Sequence, residues 1–278
     1  MLSEKLKAWP FYVLPHHAIS GLMYWLSRIE LRPMKNLIIR VYTALIDVDM
    51  SEAVEEDRFA YASLNAFFTR SIKPECRPFA DEPDLLCPVD GAVSQAGKIE
   101  DGRIFQAKGH SYTVEELLGD SATAAAYQGG RFATLYLSPR DYHRIHMPAS
   151  GRCKLMRYIP GRLFSVAEHT VNQIPRLFAR NERCVCLFDT DFGEMAMVLV
   201  GAINVSAIET VWHGLIEGKA ITDTDYASDE VTLQRGEEMG RFNLGSTVIM
   251  LLPEGMCWDD AIRAGEPVRL GQALAREA

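Results

Sequence analysis

No apolar run in this 278-residue chain approaches the roughly 18 residues of a membrane-spanning helix, so an ordinary transmembrane helix is not expected. Cysteine is scarce and unpaired by spacing. The six residues, Cys76, Cys87, Cys153, Cys184, Cys186 and Cys257, form no C-x-x-C pair, which reads as reduced cytosolic thiols rather than a disulfide framework or a zinc site. Positive charge is in the minority: 29 Lys and Arg against 37 Asp and Glu leave a net charge of −8, and a general nucleic-acid binder would show the reverse. There is no fixed-period repeat, no low-complexity tract and no H-E-x-x-H pair. G-x-S-x-G is also missing; its nearest approach, GHSYT, lacks the second glycine, which disfavours an ordinary α/β-hydrolase. WPFYVLP is too short and too rich in proline for a signal peptide, and it runs into His16 and His17 without a small-residue cleavage site.

What is present is the composition of a soluble globular protein, 48% hydrophobic with a mean hydropathy of −0.05, long enough for one large or two ordinary domains. The charge is uneven. Residues 1–40 carry a net +4, leaving −12 for the rest, so a cationic arm precedes an acidic body. That arm reads as helical: Ile19, Leu22, Met23, Leu26 and Ile29 recur at helical spacing with Trp25 beside them, and Pro33 opens a second stripe of Met34, Leu37, Ile38, Val41, Tyr42 and Leu45. Such stripes pack on a protein core or lie on an anionic membrane surface, and periodicity alone favours the core.

A short helix is expected in SLNAFFTRSI, ended by Pro74, and from about residue 84 short strands and turns take over. RCVCLFDTDFGEMAMVLVGAINV reads as two strands about an Asp-Phe-Gly turn, with Cys184 and Cys186 on one face. TVEELL carries a Thr113–Glu116 capping box, Asp90-Gly91 reads first as a hairpin turn, and the acidic stretch 221–230 as a solvated connector. The fold class is therefore α+β, with a β-rich body behind N-terminal amphipathic helices.

Three features carry chemistry. YLSPRDYHRIHMP holds His143 and His146, three apart; the pair suits acid–base work, a minor metal-binding reading, or a structural role satisfied by carbonyls. CPVDGAV holds Asp90. RFNLGSTVIMLLPEG places Gly245 and Ser246 at the mouth of an apolar strand, either as a turn or as a nucleophile beside the most permissive residue. A Ser, a His and an Asp on separate segments can form a triad, since triads are recognised by geometry rather than by order.

The segments PVDGAVSQAGKI, YLSPRDYHRIHMPASG, GRLFSV, LFARNERCVCLFDTDFGEMAMVLVGA, IETVW and GRFNLGSTVI resemble the bacterial membrane-associated phosphatidylserine decarboxylases, in order, from near residue 47 to about 253. The processing motif Leu244-Gly245-Ser246-Thr247 is intact, and no matching catalytic position departs from the family. The resemblance implies a β-rich catalytic core similar to lipoyl-like and duplicated hybrid-motif folds. It implies self-cleavage between Gly245 and Ser246 into chains 1–245 and 246–278, with Ser246 becoming a covalent pyruvoyl (pyruvate-derived) cofactor. Ser246 is then the nucleophile, His146 its base, Asp90 the carboxylate orienting His146, and His143 the group at the decarboxylation step, acting on the carboxylate or on the returning proton. Phe164, Ser165 and Val166 line a substrate channel in this reading, and no metal is expected.

Residues 1–48 would dock on the cytoplasmic face of the cell membrane as a peripheral arm, and 49–278 would form the catalytic domain. The partners implied are phosphatidylserine in an anionic bilayer, the chain's own two fragments as a heterodimer, and a second processed protomer in a homodimer; no nucleic acid is expected. Two rivals stay open at this point: a Ser-His-Asp lipid hydrolase that leaves its own chain intact, and a non-enzymatic membrane-binding or carrier module.

Overall fold

Proline opens two of the N-terminal helices, because its fixed φ suits a first turn and its missing N–H would be an orphan there anyway. A computed structural model describes residues 9–81, 85–107, 109–203, 207–226, 231–244 and 246–278. The helices ahead of the first strand are α1 (Pro10–Val13), α2 (His16–Ser27), α3 (Arg32–Leu45, with Pro33 in its first turn) and α4 (Leu64–Phe68), and short helices follow at Val114–Leu118, Ser121–Ala125, Glu168–Val171 and Leu177–Arg180. Ser63 caps α4 by accepting from the Ala66 N–H at 3.2 Å.

The two long helices bury some of their polar residues. In α2 the buried residues are His16, Ser20 and Ser27, and in α3 they are Lys35 and Ile39. Lys35 is held because its ammonium donates to the Phe59 carbonyl at 2.8 Å and to Asn36 Oδ1 at 2.9 Å. Ile39 joins Leu64 and Phe67 in a small core of its own, with Tyr42, Val48 and Met50 against it. Leu22, Trp25, Met34, Leu37, Val41 and Leu45 are left facing outward. The apolar stripes are therefore where periodicity puts them, but they divide: Ile38 and Tyr42 pack on the small core, as periodicity favours, while the residues just named do not.

The strands are, in chain order, β1 (Leu85–Leu86), β2 (Gly91–Lys98), β3 (Arg103–Ala107), β4 (His110–Thr113), β5 (Arg131–Leu137), β6 (Arg144–His146), β7 (Gly151–Ile159), β8 (Arg183–Thr190) and β9 (Gly193–Val200). They continue as β10 (Ile208–Thr210), β11 (Gly214–Ile216), β12 (Thr222–Asp225), β13 (Thr232–Leu233), β14 (Glu238–Phe242), β15 (Ser246–Leu252), β16 (Met256–Trp258), β17 (Pro267–Val268) and β18 (Ala273–Glu277). The largest sheet runs β12-β7-β8-β9-β15-β5-β2-β17 with β13 on β7, and a four-stranded sheet runs β11-β10-β14-β6. Val248–Leu252 are wholly buried in the middle of the large sheet, which is why that stretch reads as a continuous apolar run. The β8–β9 hairpin and the Thr113–Glu116 capping box form as expected, the latter with bonds of 3.0 and 2.9 Å.

Two local expectations are overturned. Asp90-Gly91 makes no hairpin: β1 pairs with β18, and β2 pairs with β5. Gly91 is needed instead for close approach, since a Cβ there would collide with the Tyr136 carbonyl oxygen. The acidic stretch from 221 is not a free connector either. Its first half is β12, an edge strand on β7 anchored by Arg157, whose Nε and Nη2 each donate to the Asp223 carboxylate at 2.7 Å. Residues 227–230 lie outside the described residues.

One feature of the topology places the site. β15 pairs with β5, Ser246 standing opposite Leu137, while β14 pairs with β6, Glu238 opposite His146. Two stretches of chain thus lead from one sheet to the other, the first through residues 138–143 and the second starting with 243 and 244. His143 and the start of β15 meet at that joint.

Candidate active site

At the joint the Phe242 N–H donates to the His143 carbonyl at 3.1 Å, and the His146 N–H to the Pro88 carbonyl at 2.9 Å. The segments holding His143, His146, Asp90 and Ser246 are therefore neighbours through their backbones, although 156 positions separate the first from the last in sequence.

His146 Nδ1 lies 2.8 Å from the Gly236 carbonyl, and a carbonyl only accepts, so Nδ1 carries the proton. That leaves Nε2 as the basic lone pair, and the Tyr142 hydroxyl donates to it at 3.0 Å. Burial, the dominant influence, lowers the pKa of His146, while the Gly236 carbonyl and then the charge of Glu238 pull it back up. The imidazole is a neutral base in a fixed tautomer. A cleft of about 410 Å³, lined by His146, Tyr142, Phe79, Pro74 and Leu270 among others, leads to it.

Asp90 has other partners. Arg77 Nε donates to its two carboxylate oxygens at 2.9 and 3.1 Å, Arg77 Nη2 bonds it as well, and the Leu270 N–H donates at 2.8 Å. Arg77 also reaches Glu52 at 2.7 Å. Among the described residues no hydrogen bond joins Asp90 to His146; the carboxylate acts on the imidazole only as a nearby charge that favours its protonated form, the smallest of five influences on it. The oxygen that sets the tautomer of His146 belongs to Gly236.

His143 is fully buried, its ring 4.0 Å from that of Phe68. Its Nδ1 lies 2.9 Å from the Asp141 carbonyl and so carries the proton, while Nε2 is buried with no partner. Burial pushes its pKa down to about 3. Its orphaned Nε2 is an unprotonated acceptor beside the joint, kept neutral by burial.

The approach to Ser246 is strained. Leu244 has φ of +85°, the region that side chains avoid, at a cost of about 1–3 kcal/mol. Gly245 and the side chain of Ser246 lie outside the described residues; the backbone of Ser246 opens β15. Thr247, the next residue, has a buried Oγ1 with no partner. Among the described residues His143 Nε2 and Thr247 Oγ1 are thus buried polar atoms without a partner, one on the segment beside the joint and one next in sequence to position 246, and an orphaned polar atom at the joint fits a small polar carbonyl group there.

Phe164 is fully buried away from this joint, edge-on to His16 at 5.3 Å and to Tyr12 at 5.8 Å. Its backbone is clamped by Asn181, which also donates to the Gly201 carbonyl at 2.9 Å; Gly201 follows Val200, the partner of Thr247 on β9. Ser165 Oγ accepts from the Ala167 N–H at 3.3 Å, and Val166 is buried. This loop therefore flanks β15 on the side opposite to Asp90.

Sequence reasoning missed Arg77, Tyr142 and Gly236. Tyr142 stands inside the quoted YLSPRDYHRIHMP motif and was findable there; Gly236, 90 positions from His146, gave no signal.

A family model described as phosphatidylserine decarboxylase matches residues 64–276, and a model described as PSD matches residues 6–44. The chain is 58% identical over 254 residues to the phosphatidylserine decarboxylase proenzyme of Alkalilimnicola ehrlichii, covering 89% of this chain and 88% of that one. It is 52% identical over 275 residues to the proenzyme of the same description from Pseudomonas putida, covering 96% of each. With that of Bordetella pertussis it shares 51% identity over 275 residues, covering 96% of this chain and 93% of the relative.

Proposed function

The chain belongs to the phosphatidylserine decarboxylase family, and from that premise we infer that it is a proenzyme that cuts itself and then converts phosphatidylserine to phosphatidylethanolamine and carbon dioxide. The observation that carries the reading is the joint itself. The chain entering Ser246 runs beside the segment bearing both histidines, and a residue strained in φ stands just before the bond to be cut.

We assign the roles as follows. His146 Nε2 takes the proton of the Ser246 hydroxyl as that oxygen attacks the Gly245 carbonyl, and the proton passes to the departing amide nitrogen. Tyr142 must first release Nε2. Asp90, locked to Arg77, supplies fixed negative charge rather than a hydrogen bond. The pyruvoyl group formed from Ser246 supplies the carbonyl that takes up electrons when the carboxylate leaves. The α-carbon ends with one proton in place of the carboxylate, drawn from solvent, and His143 Nε2 is assigned to pass it to that carbon. Phe164, Ser165 and Val166 wall the far side of β15, a position that supports a channel-lining role.

Docking is assigned to residues 1–48, with 49–278 as catalytic domain. The outward apolar face supports this: Trp25 is 60% and Leu45 80% exposed, on helices that also bury Ser20, Ser27 and Lys35. No described helix is long and apolar enough to cross a membrane, so the attachment proposed is peripheral. The six free thiols support the cytoplasmic face. The antiparallel β-body supports the lipoyl-like assignment, and the family resemblance supports a homodimer of processed protomers. The rival hydrolase would leave the chain whole, so intact mass of purified protein, compared with Ser246→Ala, decides between them.

A further inference from the structure

A cavity of about 610 Å³ opens beside Asp90, Gly91, Asp141 and Tyr142, and four arginines line it: Arg70, Arg77, Arg140 and Arg269. Three of them face carboxylates. Arg77 holds Asp90 and Glu52, Arg269 approaches Glu52 at 3.5 Å, and Arg140 approaches Asp141 at 3.9 Å. Arg70 differs: among the described residues it has no carboxylate within salt-bridge distance. It is only 5% exposed, its Nη2 donates to the Arg140 carbonyl at 3.1 Å, and its Nε is buried with no partner among the described residues. A guanidinium taken out of water with donors unused is costly unless an anion completes it.

We propose that Arg70 receives the phosphodiester of the phospholipid substrate in this cavity. The proposal rests on the decarboxylase reading and deepens it. Position supports it first. Ala92 pairs with Tyr136 and Leu137 with Ser246, so Gly91 in the cavity wall lies across one intervening strand from Ser246, about 10 Å away. The rim residues Asp47 and Val48 directly follow α3, whose exposed apolar face is the docking surface proposed above, so a lipid headgroup reaches the cavity without leaving the bilayer surface.

Chemistry selects the phosphodiester over the carboxylate. The carboxylate departs as neutral carbon dioxide, and a cation paired to it would stabilise the ground state more than the transition state. The phosphodiester keeps its charge throughout, so binding it positions the headgroup without opposing the reaction. Five carboxylates also line the cavity: Asp90 and Glu52 are engaged by Arg77, Asp141 is faced by Arg140, and Asp49 is bonded by Ser51, so Asp47 at the rim is the one among them with no such partner among the described residues.

The test uses the full-length chain as parent, Arg70→Gln and Arg70→Lys, each followed by intact mass for self-cleavage and by carbon dioxide release from phosphatidylserine in mixed micelles. Arg70→Gln is expected to cut, to raise KM by about 10- to 100-fold, and to keep kcat within about threefold, with Arg70→Lys in between. Glycerophosphoethanolamine should compete with substrate in the parent and about tenfold less well in Arg70→Gln. Inorganic phosphate that competes as well as glycerophosphoethanolamine would make this a free-phosphate site and overturn the headgroup assignment. Unchanged KM in Arg70→Gln, or a loss confined to kcat, overturns it too. If Arg70→Gln does not fold, Arg70→Lys decides: weaker competition than in the parent supports the proposal, and equal competition refutes it. A parent that neither cuts nor releases carbon dioxide refutes the decarboxylase reading instead.

Discussion

The Tyr142 hydroxyl donates to His146 Nε2 across 3.0 Å and so occupies the lone pair that self-cleavage needs. The Gly236 carbonyl already takes the proton on Nδ1, so the ring has no second basic nitrogen to offer. Removing the hydroxyl therefore frees the base. Tyr142→Phe is expected to cut at least as fast as the parent, up to about fivefold faster, the worth of one ordinary hydrogen bond. A gel time course after expression measures it, and an uncut Tyr142→Phe would make the tyrosine a required relay instead.

The two histidines should separate by reaction. His146→Ala is expected to accumulate whole chain. His143→Ala is expected to cut yet release carbon dioxide at about one hundredth of the parent rate or less, in the range of a lost proton-transfer group. Mass and carbon dioxide release from the same sample distinguish the two, and whole chain in both variants would contradict the division.

Asp90→Asn should show two defects. It leaves Arg77 with Glu52 as its remaining carboxylate partner, so unfolding stability should drop by about 1.5–3 kcal/mol, and it removes the negative charge that favours protonated His146. Denaturant titration reads the first and processing rate the second. A stability equal to the parent's would show that the Arg77 pair holds no net weight.

Burial holds the folded pKa of His143 near about 3, against an ordinary value of 6.5. As pH falls below 6.5 the unfolded chain takes up this proton and the folded chain does not, so stability declines from there down to about pH 3, at about 1.4 kcal/mol per unit for this one group. Above pH 6.5 the group contributes no slope. Denaturation midpoints at pH 7.5 and 5.0, with His143→Asn as the flattened control, check the direction.

Lys35 is tied to Phe59, which leaves Arg32 and Arg40 as the exposed cations of α3, beside six large exposed apolar side chains on α2 and α3. Vesicle binding should accordingly depend more on apolar contact than on charge. Trp25→Ala is expected to weaken it by about tenfold or more, and raising salt to weaken it only moderately. Sedimentation with anionic and neutral vesicles tests this, and unaltered binding of Trp25→Ala would remove α2 from the docking surface.

Features settled within a few residues were legible from sequence: the Thr113–Glu116 box, the β8–β9 hairpin and the helical stripes each depend on neighbours in the chain. The facing of the stripes was not legible. It is decided by Lys35 reaching a carbonyl 24 residues away, and a lysine in a periodic pattern reads as solvent-facing. Asp90-Gly91 misled for a similar reason, since turn chemistry is local whereas β2 finds its partner in β5. The identities of Asp90, His143, His146 and Ser246 came from the motifs, but the Arg77 clamp and the Gly236 carbonyl are long-range contacts with no sequence signature.

Intact mass of the purified full-length chain beside Ser246→Ala tests the central claim most directly. The account predicts fragments 1–245 and 246–278 for the parent, the smaller beginning with a pyruvoyl group, and one whole, inactive chain for Ser246→Ala. A parent that releases carbon dioxide from phosphatidylserine while remaining whole, with a hydroxyl at residue 246, would contradict it.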